Sequence, residues 1–232
     1  MEVKIYGHGW VGRAVHSIFP EAKVHDPGLG MINKGKADVA FVCVPTPLKD
    51  GSLDTSIVEE VVKNSQEDLI VIRSTVNPGT CDKLERLGKN ICFQPEYLGE
   101  TVAHPLSDES RRPFLVIGGS PENRRKLIEL YQTIYNANIR IRQVTNLEAE
   151  IIKLSENRAI AFKVAQCQEL YDACEKHGVD YYTIRDAVYG EDPRLNLWFT
   201  FVYPNNRGFN SSKCLRKDVP AWSSWAGTPL TK

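Results

Sequence analysis

The chain has no excess of either charge: 29 basic side chains stand against 29 acidic ones in 232 residues. A nucleic-acid binder usually shows a basic excess or patch, so no nucleic-acid partner is expected. No apolar run reaches membrane-spanning length, and no signal peptide is visible at the N-terminus. A cytoplasmic protein without a membrane partner is the default expectation. Six cysteines are present, but no CxxC pair, so metal-ligand spacing is missing and no metal is expected. Cys43 and Cys92 sit in apolar strand-like runs, and Cys167 and Cys174 on a predicted helix. Together with Cys81 they read as reduced packing residues, and Cys214 stands apart. No internal repeat or low-complexity segment is found. The length suits one large domain, or one domain with a smaller companion.

What is present is an alternation of strand and helix patterns as far as Thr145. Val3 to Tyr6 is a short apolar strand. Val11, Ala14, Val15 and Ile18 give Trp10 to Phe19 helical spacing. Ala22 to His25 reads as a second strand. Ala37 to Val44 is a continuous apolar run ending in Pro45, as expected of a strand buried on both faces. Asp54 can cap a helix carrying Ile57, Val58, Val61 and Val62. Further strands are read at Asp68 to Arg73, Ile91 to Gln94, Phe114 to Ile117 and Ile139 to Ile141. Helices are read from Pro78 to Leu87 and from Pro121 to Tyr135. Strict alternation with short links implies a doubly wound parallel sheet.

From Thr145 to His177 no proline or glycine interrupts the chain. Leu147, Ile151, Leu154, Ile160, Val164, Cys167 and Tyr171 make an apolar face over many turns. One small domain is too short to cover it, so a homodimer through this helix is expected. Gly178 ends the helix, and Asp180 to Tyr189 reads as one more. Gly190 to Lys232, rich in Asn, Pro, Ser and Trp, reads as loop with little regular structure.

Gly7-His8-Gly9-Trp10-Val11-Gly12 lies between the first strand and the first helix. In that context the glycine spacing reads as a dinucleotide loop. Gly7 permits the tight turn, Gly9 the approach of a pyrophosphate, and Gly12 the packing of helix on strand. The helix N-terminus offers free N–H groups to the phosphates. Asp26 follows the second strand, where a carboxylate bonds ribose hydroxyls and repels the 2′-phosphate of NADP; the expected cofactor is therefore NAD. The fold expected is α/β: a Rossmann-type doubly wound parallel sheet over residues 1–144, followed by a long helix and a small helical domain over 145–232.

Near the other end stands Gly208-Phe209-Asn210-Ser211-Ser212-Lys213-Cys214-Leu215-Arg216-Lys217-Asp218. A dinucleotide loop together with a cysteine beside a lysine and an aspartate suggests an oxidation that passes through a thioester. Lys213 favours the thiolate of its neighbour. Four further segments accompany these two: Phe41-Val42-Cys43-Val44-Pro45-Thr46-Pro47, Ser74-Thr75-Val76-Asn77-Pro78-Gly79-Thr80, Pro95-Glu96-Tyr97-Leu98-Gly99-Glu100 and Glu150-Ile151-Ile152-Lys153-Leu154-Ser155-Glu156-Asn157. In this order they resemble the UDP-glucose dehydrogenase family of nucleotide-sugar dehydrogenases, from Met1 to about Asp218.

The resemblance implies NAD-dependent oxidation of the C6 alcohol of a UDP-sugar to the carboxylate. It makes Cys214 the nucleophile and Lys153 the partner of the developing oxyanion. Asn157 lies one helical turn beyond Lys153. Asp218 and Thr75 would assist proton transfer and place water, and Glu96 matches the family's acid–base glutamate. Gly7, Gly9, Trp10, Val11, Gly12, Asp26, Val44, Thr46, Pro47, Ser74, Glu100 and Lys217 fall at cofactor-binding positions. Tyr97, Leu98 and Arg194 fall at substrate positions. Family members carry Gly-Phe-Gly-Gly-x-Cys; here Asn210, Ser211, Ser212 and Lys213 precede Cys214, and the stretch from Arg194 is longer. The family's C-terminal UDP-binding domain has no counterpart in these residues, so a short form is expected. Two other readings stay open. One is a non-catalytic NAD-binding remnant of the family. The other is a β-hydroxyacid-type two-electron dehydrogenase, whose chemistry does not require the Cys214-to-Asp218 segment.

Overall fold

The computed structural model describes residues 1–99, 104, 106, 108–203 and 205–227. The chain divides into two compact units, Met1–Lys153 and Leu154–Lys232. In the first, the chain runs through β1 (Val3–Tyr6), α1 (Trp10–Ile18), β2 (Lys23–His25), β3 (Val39–Val42), a hairpin of β4 (Leu48–Lys49) and β5 (Ser52–Leu53), and α2 (Ser56–Asn64). It continues through β6 (Leu69–Ile72), α3 (Thr80–Glu85), β7 (Ile91–Phe93), β8 (Phe114–Gly119), α4 (Pro121–Tyr131) and β9 (Arg140–Val144) into the start of α5 (Asn146–His177).

Seven strands form one sheet in the order β2-β1-β3-β6-β7-β8-β9, so β2 and β9 are its edges. The central strands are apolar throughout because both faces are covered. Val39 and Phe41 of β3, with Leu69 and Val71 of β6, pack against Val15 and Ile18 of α1 and Leu127 of α4. Val42, Ile70 and Ile72 point the other way, into a layer with Val58 and Val62 of α2, Leu84 of α3 and Ala149 of α5. Ile57, expected on the buried side of α2, is instead 42% exposed. The division into units falls inside α5 because its first turns belong to this second layer.

The sheet is not parallel throughout. β7 pairs antiparallel with β8, while β8 and β9 run parallel to each other. A parallel neighbour needs a crossover of a dozen residues or more, usually a helix. Among the described residues between Phe93 and Phe114 the only helical piece is the single 3₁₀ turn Glu109–Arg111, and the chain returns in the opposite direction.

The second unit holds the rest of α5, then α6 (Tyr181–Arg185), a π-helical turn over Asp186–Glu191, and α7 (Leu215–Ala226). Cys167, Cys174, Tyr181, Tyr189 and Val202 form one apolar cluster, and Ala161, Leu215 and Val219 another. Helix α7 corrects the expectation of little regular structure after Gly190. Leu215 and Val219 are one turn apart and pack against Ala161, while the Ser212 hydroxyl accepts from Leu215 N–H at 3.1 Å. Pro220 and the Ser- and Trp-rich composition hide this helix in the sequence, and tertiary packing overrides the weak propensity. Among the described residues no helix is long and apolar enough to cross a membrane.

Helix α3 has no side-chain cap of its own, and two N–H groups at its start, those of Gly79 and Cys81, find a partner far along the chain. Gly79 N–H donates to Glu150 Oε2 at 2.6 Å and Cys81 N–H to Glu150 Oε1 at 2.8 Å. Glu150 is fully buried. Glu150→Ala is therefore expected to leave one buried and one half-buried donor unsatisfied, with a loss of about 1–3 kcal/mol for the buried group. Urea denaturation of the two proteins measures this, and equal midpoints would refute it.

Candidate active site

β1, β3 and β6 end in register, Tyr6 opposite Val42 and Val42 opposite Ile72. Their following loops therefore share one edge, the carboxyl edge where open α/β sheets bind ligands. The glycine loop is the tightest of them. Gly7 has φ 87°, and a Cβ there would lie 2.5 Å from the Cys43 carbonyl oxygen. A Cβ on Gly12 would lie 2.0 Å from the Gly7 carbonyl oxygen, so α1 can start only on a glycine at that point. Nothing lies within 4 Å of the position a Gly9 Cβ would take, which leaves that backbone open to a ligand. Trp10 and Val11 open α1, with Trp10 exposed.

Asp26 accepts from His8 N–H at 2.7 Å through Oδ2. It also lines a cavity of about 420 Å³ together with Tyr6, Gly7, Val44, Ile57 and Val61. A largely apolar slot that carries the Asp26 and Glu60 carboxylates, beside a glycine loop and a helix N-terminus, fits an adenosine diphosphate moiety. Exposed Ile57 thus has its use at the mouth of this slot. His8 also meets His16, Nε2 to Nδ1 at 3.0 Å, a pairing that the sequence did not suggest. Burial, then the His16 and Arg13 charges, holds the His8 imidazole below its ordinary range.

The next two loops are cross-tied. Thr46 Oγ1 donates to the Thr75 carbonyl at 2.7 Å, and Ser74 Oγ to the Val44 carbonyl at 2.7 Å. Both hydroxyls are buried and fix loop against loop, while Thr75 is half-buried and Pro47 exposed. Asn77 bonds Leu53 through both its amide atoms and anchors the small hairpin.

Behind these loops is a buried ring of charges. Arg73 reaches Glu96 at 2.7 Å and Glu109 at 3.0 Å. Arg112 reaches the same two carboxylates at 2.9 and 2.6 Å. Glu96, expected as an acid–base group, thus has both oxygens engaged; Oε1 also accepts from Leu98 N–H. Burial raises the Glu96 carboxyl, but Arg73 and Arg112 outweigh it and hold the group below its ordinary range. The Glu96 carbonyl accepts from Lys153 Nζ. The Tyr97 ring has the Lys153 ammonium 5.3 Å from its centroid and the Arg112 guanidinium at 5.8 Å. Glu100 lies outside the described residues. The sequence carried one signal of this ring: Arg73 directly follows four fully buried apolar residues, and a charge so placed needs a partner.

In the second unit, Asp218 is fully buried. It accepts from Asn157 Nδ2 at 2.6 Å and from Lys217 Nζ at 2.7 Å. Cys214 stands at the N-cap of α7, and its carbonyl accepts from Asp218 N–H at 3.0 Å. It is exposed, whereas the other five cysteines are buried or half-buried. The positive end of a helix favours negative charge at such a position. Trp222, which sequence reasoning missed, fixes α7: its Nε1 donates to Ser155 Oγ at 3.2 Å and the Arg158 guanidinium stacks on its ring at 3.8 Å. Arg194 is paired with Asp192 on the surface at 2.6 Å, its side chain 86% exposed. Among the described residues no group of three or more His, Cys, Asp or Glu is placed to hold a metal ion.

Residues 31–137 match the NAD-binding domain of the UDP-glucose/GDP-mannose dehydrogenase family, and residues 147–229 match that family's central domain. The chain belongs to this family. It is 33% identical over 198 residues to a UDP-glucose 6-dehydrogenase of Rickettsia typhi, covering 79% of this chain and 44% of that protein. It is 32% identical to the GDP-mannose 6-dehydrogenase of Pseudomonas aeruginosa over 207 residues, 80% of this chain and 46% of the other. Among solved structures, a UDP-glucose dehydrogenase from the archaeon Pyrobaculum islandicum shares the fold with a TM-score of 0.80 at 23% identity, over 99% of this chain and 65% of that one. The chain thus spans about half the length of the curated relatives it matches. The family's cofactor is NAD, and Asp26 is expected to face its adenosine ribose. NAD is expected to bind more tightly than NADP, and Asp26→Ala to narrow the gap without unfolding the protein. Calorimetry with both cofactors tests this; tighter binding of NADP by the wild type would remove the role given to Asp26.

Proposed function

We propose that the chain oxidises the C6 alcohol of a UDP-sugar, of the UDP-glucose type, to the carboxylate through a thioester on Cys214. The observation that carries this reading is the exposed Cys214 at the start of α7 with buried Asp218 one turn on, held by Asn157 and Lys217, in a chain with an NAD-binding domain. NAD, when bound, accepts the hydride in each of the two oxidations. Gly7, Gly9, Trp10, Val11, Gly12, Asp26, Val44, Thr46, Pro47, Ser74, Glu100 and Lys217 are the residues that would hold it.

After the alcohol has become an aldehyde, Cys214 Sγ bonds the carbonyl carbon and the oxygen takes a proton. The thiohemiacetal gives up its one carbon-bound hydrogen as the second hydride of the reaction, releases its hydroxyl proton, and becomes a thioester. Water adds, the C–S bond breaks, and the thiol is regained as the carboxylate leaves. Lys153 offsets the negative charge that develops on the oxygen in each step, with Asn157 alongside on the same helix. Asp218 and Thr75 place the water and pass protons. Tyr97, Leu98 and Arg194 contact the sugar nucleotide. A second copy of the chain completes the assembly through α5, on which Leu147 and Phe162 remain 37% and 40% exposed.

Wild type is expected to form about two NADH per sugar consumed, as four-electron oxidation requires. Cys214→Ser should retain NAD binding and stop acid formation, because an alkoxide leaves more slowly than a thiolate. Lys153→Ala should slow turnover by a factor on the order of 10²–10³. The measurement is acid and NADH yield across a panel of UDP- and GDP-sugars. One NADH, with full activity in Cys214→Ser, points instead to β-hydroxyacid-type chemistry. NAD binding without turnover on any of them points to a non-catalytic NAD-binding module.

Light scattering at micromolar concentration should give twice the chain mass. The mass of a single chain would remove the dimer.

A further inference from the structure

The slot beside the glycine loop holds more polar groups than a ribose can use. Those on its floor are already engaged. The Tyr6 hydroxyl donates to Glu67 Oε2 at 3.3 Å, and Glu67 is itself held by Lys4 at 3.3 Å. The His25 ring lies 5.5 Å from the Tyr6 ring, and its Nδ1 meets the Asn33 backbone, the carbonyl at 3.0 Å and the N–H at 3.2 Å. Glu60 and Asn64 differ. Both line the slot from α2, both are exposed, and among the described residues neither side chain has a hydrogen-bond or ionic partner.

Helical spacing puts Ile57, Glu60, Val61 and Asn64 on one stripe of α2, and all four line the slot. The stripe offers two apolar side chains to the face of a flat ring and two polar ones to its edge. The formal charges on the slot are the Asp26 and Glu60 carboxylates, and no lysine or arginine lines it. An ionised carboxylate only accepts hydrogen bonds, whereas an amide both donates and accepts. Such an edge favours a ring that presents a donor flanked by acceptors. The exocyclic amino group of adenine, between two ring nitrogens, has that pattern, and asparagine can pair with it through both amide atoms.

We propose that Glu60 and Asn64 are specificity residues for the base of the dinucleotide. The ring lies against Ile57 and Val61, Glu60 accepts from the exocyclic amino group, and the Asn64 amide meets the same edge. Resting on the reading that the adenosine end of NAD enters this slot, the assignment adds a second point of selection: Asp26 acts at the ribose, Glu60 and Asn64 at the base.

The test is calorimetry on the full chain with NAD and with nicotinamide purine dinucleotide, in which hydrogen replaces the amino group. The two ligands keep the same ribose, pyrophosphate and ring face. Wild type should bind NAD more tightly by roughly tenfold, the effect of one hydrogen bond to a charged group at a rim open to water. Glu60→Met and Asn64→Ala should each reduce that ratio, and the double variant should bring it close to one by weakening NAD while leaving the analogue unchanged. Both side chains are exposed and unpartnered, so these variants should fold as wild type does. Asp26→Ala should weaken both ligands equally and leave the ratio as it was. Equal binding of the two ligands by wild type, or a ratio that survives in the double variant, overturns the base assignment while the slot keeps its adenosine. If Asp26→Ala and the double variant all bind NAD as wild type does, the adenosine end lies elsewhere, and the assignment falls with the reading beneath it.

Discussion

One stripe of side chains ties the first turns of α5 to the sheet. Asn146, Ala149, Glu150 and Lys153 follow one another at steps of three, one and three residues, so they share one helix face. Asn146 Oδ1 accepts from Phe93 N–H at 2.8 Å, and its Nδ2 donates to the Ile91 carbonyl at 3.3 Å. The Ala149 methyl fills the space beside Gly118, where any Cβ would lie 2.8 Å from it. Glu150 caps α3, and Lys153 holds the Glu96 carbonyl. Strand β7, the start of α3 and the 95–98 loop are therefore set by the rotation of a single helix. A net hydrogen bond stabilises by only about 0.5–1.5 kcal/mol, but an orphaned buried group costs more. Turning these first turns would orphan several at once, which makes their orientation within the first unit nearly all-or-none.

Much of this arrangement was readable in the sequence because it obeys local rules. Continuous apolar runs such as Val39 to Val42 mark strands covered on both faces. Gly7, Gly9 and Gly12 mark a loop where side chains do not fit. The absence of proline and glycine from Thr145 to His177 marks the long helix. What escaped depends on partners distant in sequence. Glu150 as a cap for α3 is 71 residues from Gly79, and Arg73 meets Glu109 across 36 residues. The antiparallel entry of β8 goes with a connection whose described residues hold no crossover helix, and strand composition alone carries no direction. Helix α7 was hidden by Pro220, and its reason to form is the apolar surface offered by Ala161. Motif positions were legible; the bonds that hold them were not. Thr46 and Ser74 illustrate this, since their hydroxyls tie loop to loop.

The ring of Arg73, Glu96, Arg112 and Glu109 is a feature of geometry more than of stability. Taking four charges out of water costs several kcal/mol each before their mutual attraction is counted, and apolar side chains of similar size often do as well. What apolar side chains lack is direction. Forked guanidinium–carboxylate contacts fix angle as well as distance, and the loop they support carries the acceptor for Lys153. Removing one member leaves an uncompensated buried charge, so the four behave as one unit.

The two edges of the sheet bear on how the protein behaves at high concentration. An open strand edge is a template on which another sheet can grow. Here β2 is only three residues long, and β9 places Arg140 and Arg142 on exposed positions. Shortness at one edge and like charge at the other discourage edge-to-edge addition of a second sheet. An edge of three residues offers few free backbone groups, and an edge bearing two arginines repels its own copy, so neither is a template on which an extended β-structure would readily grow.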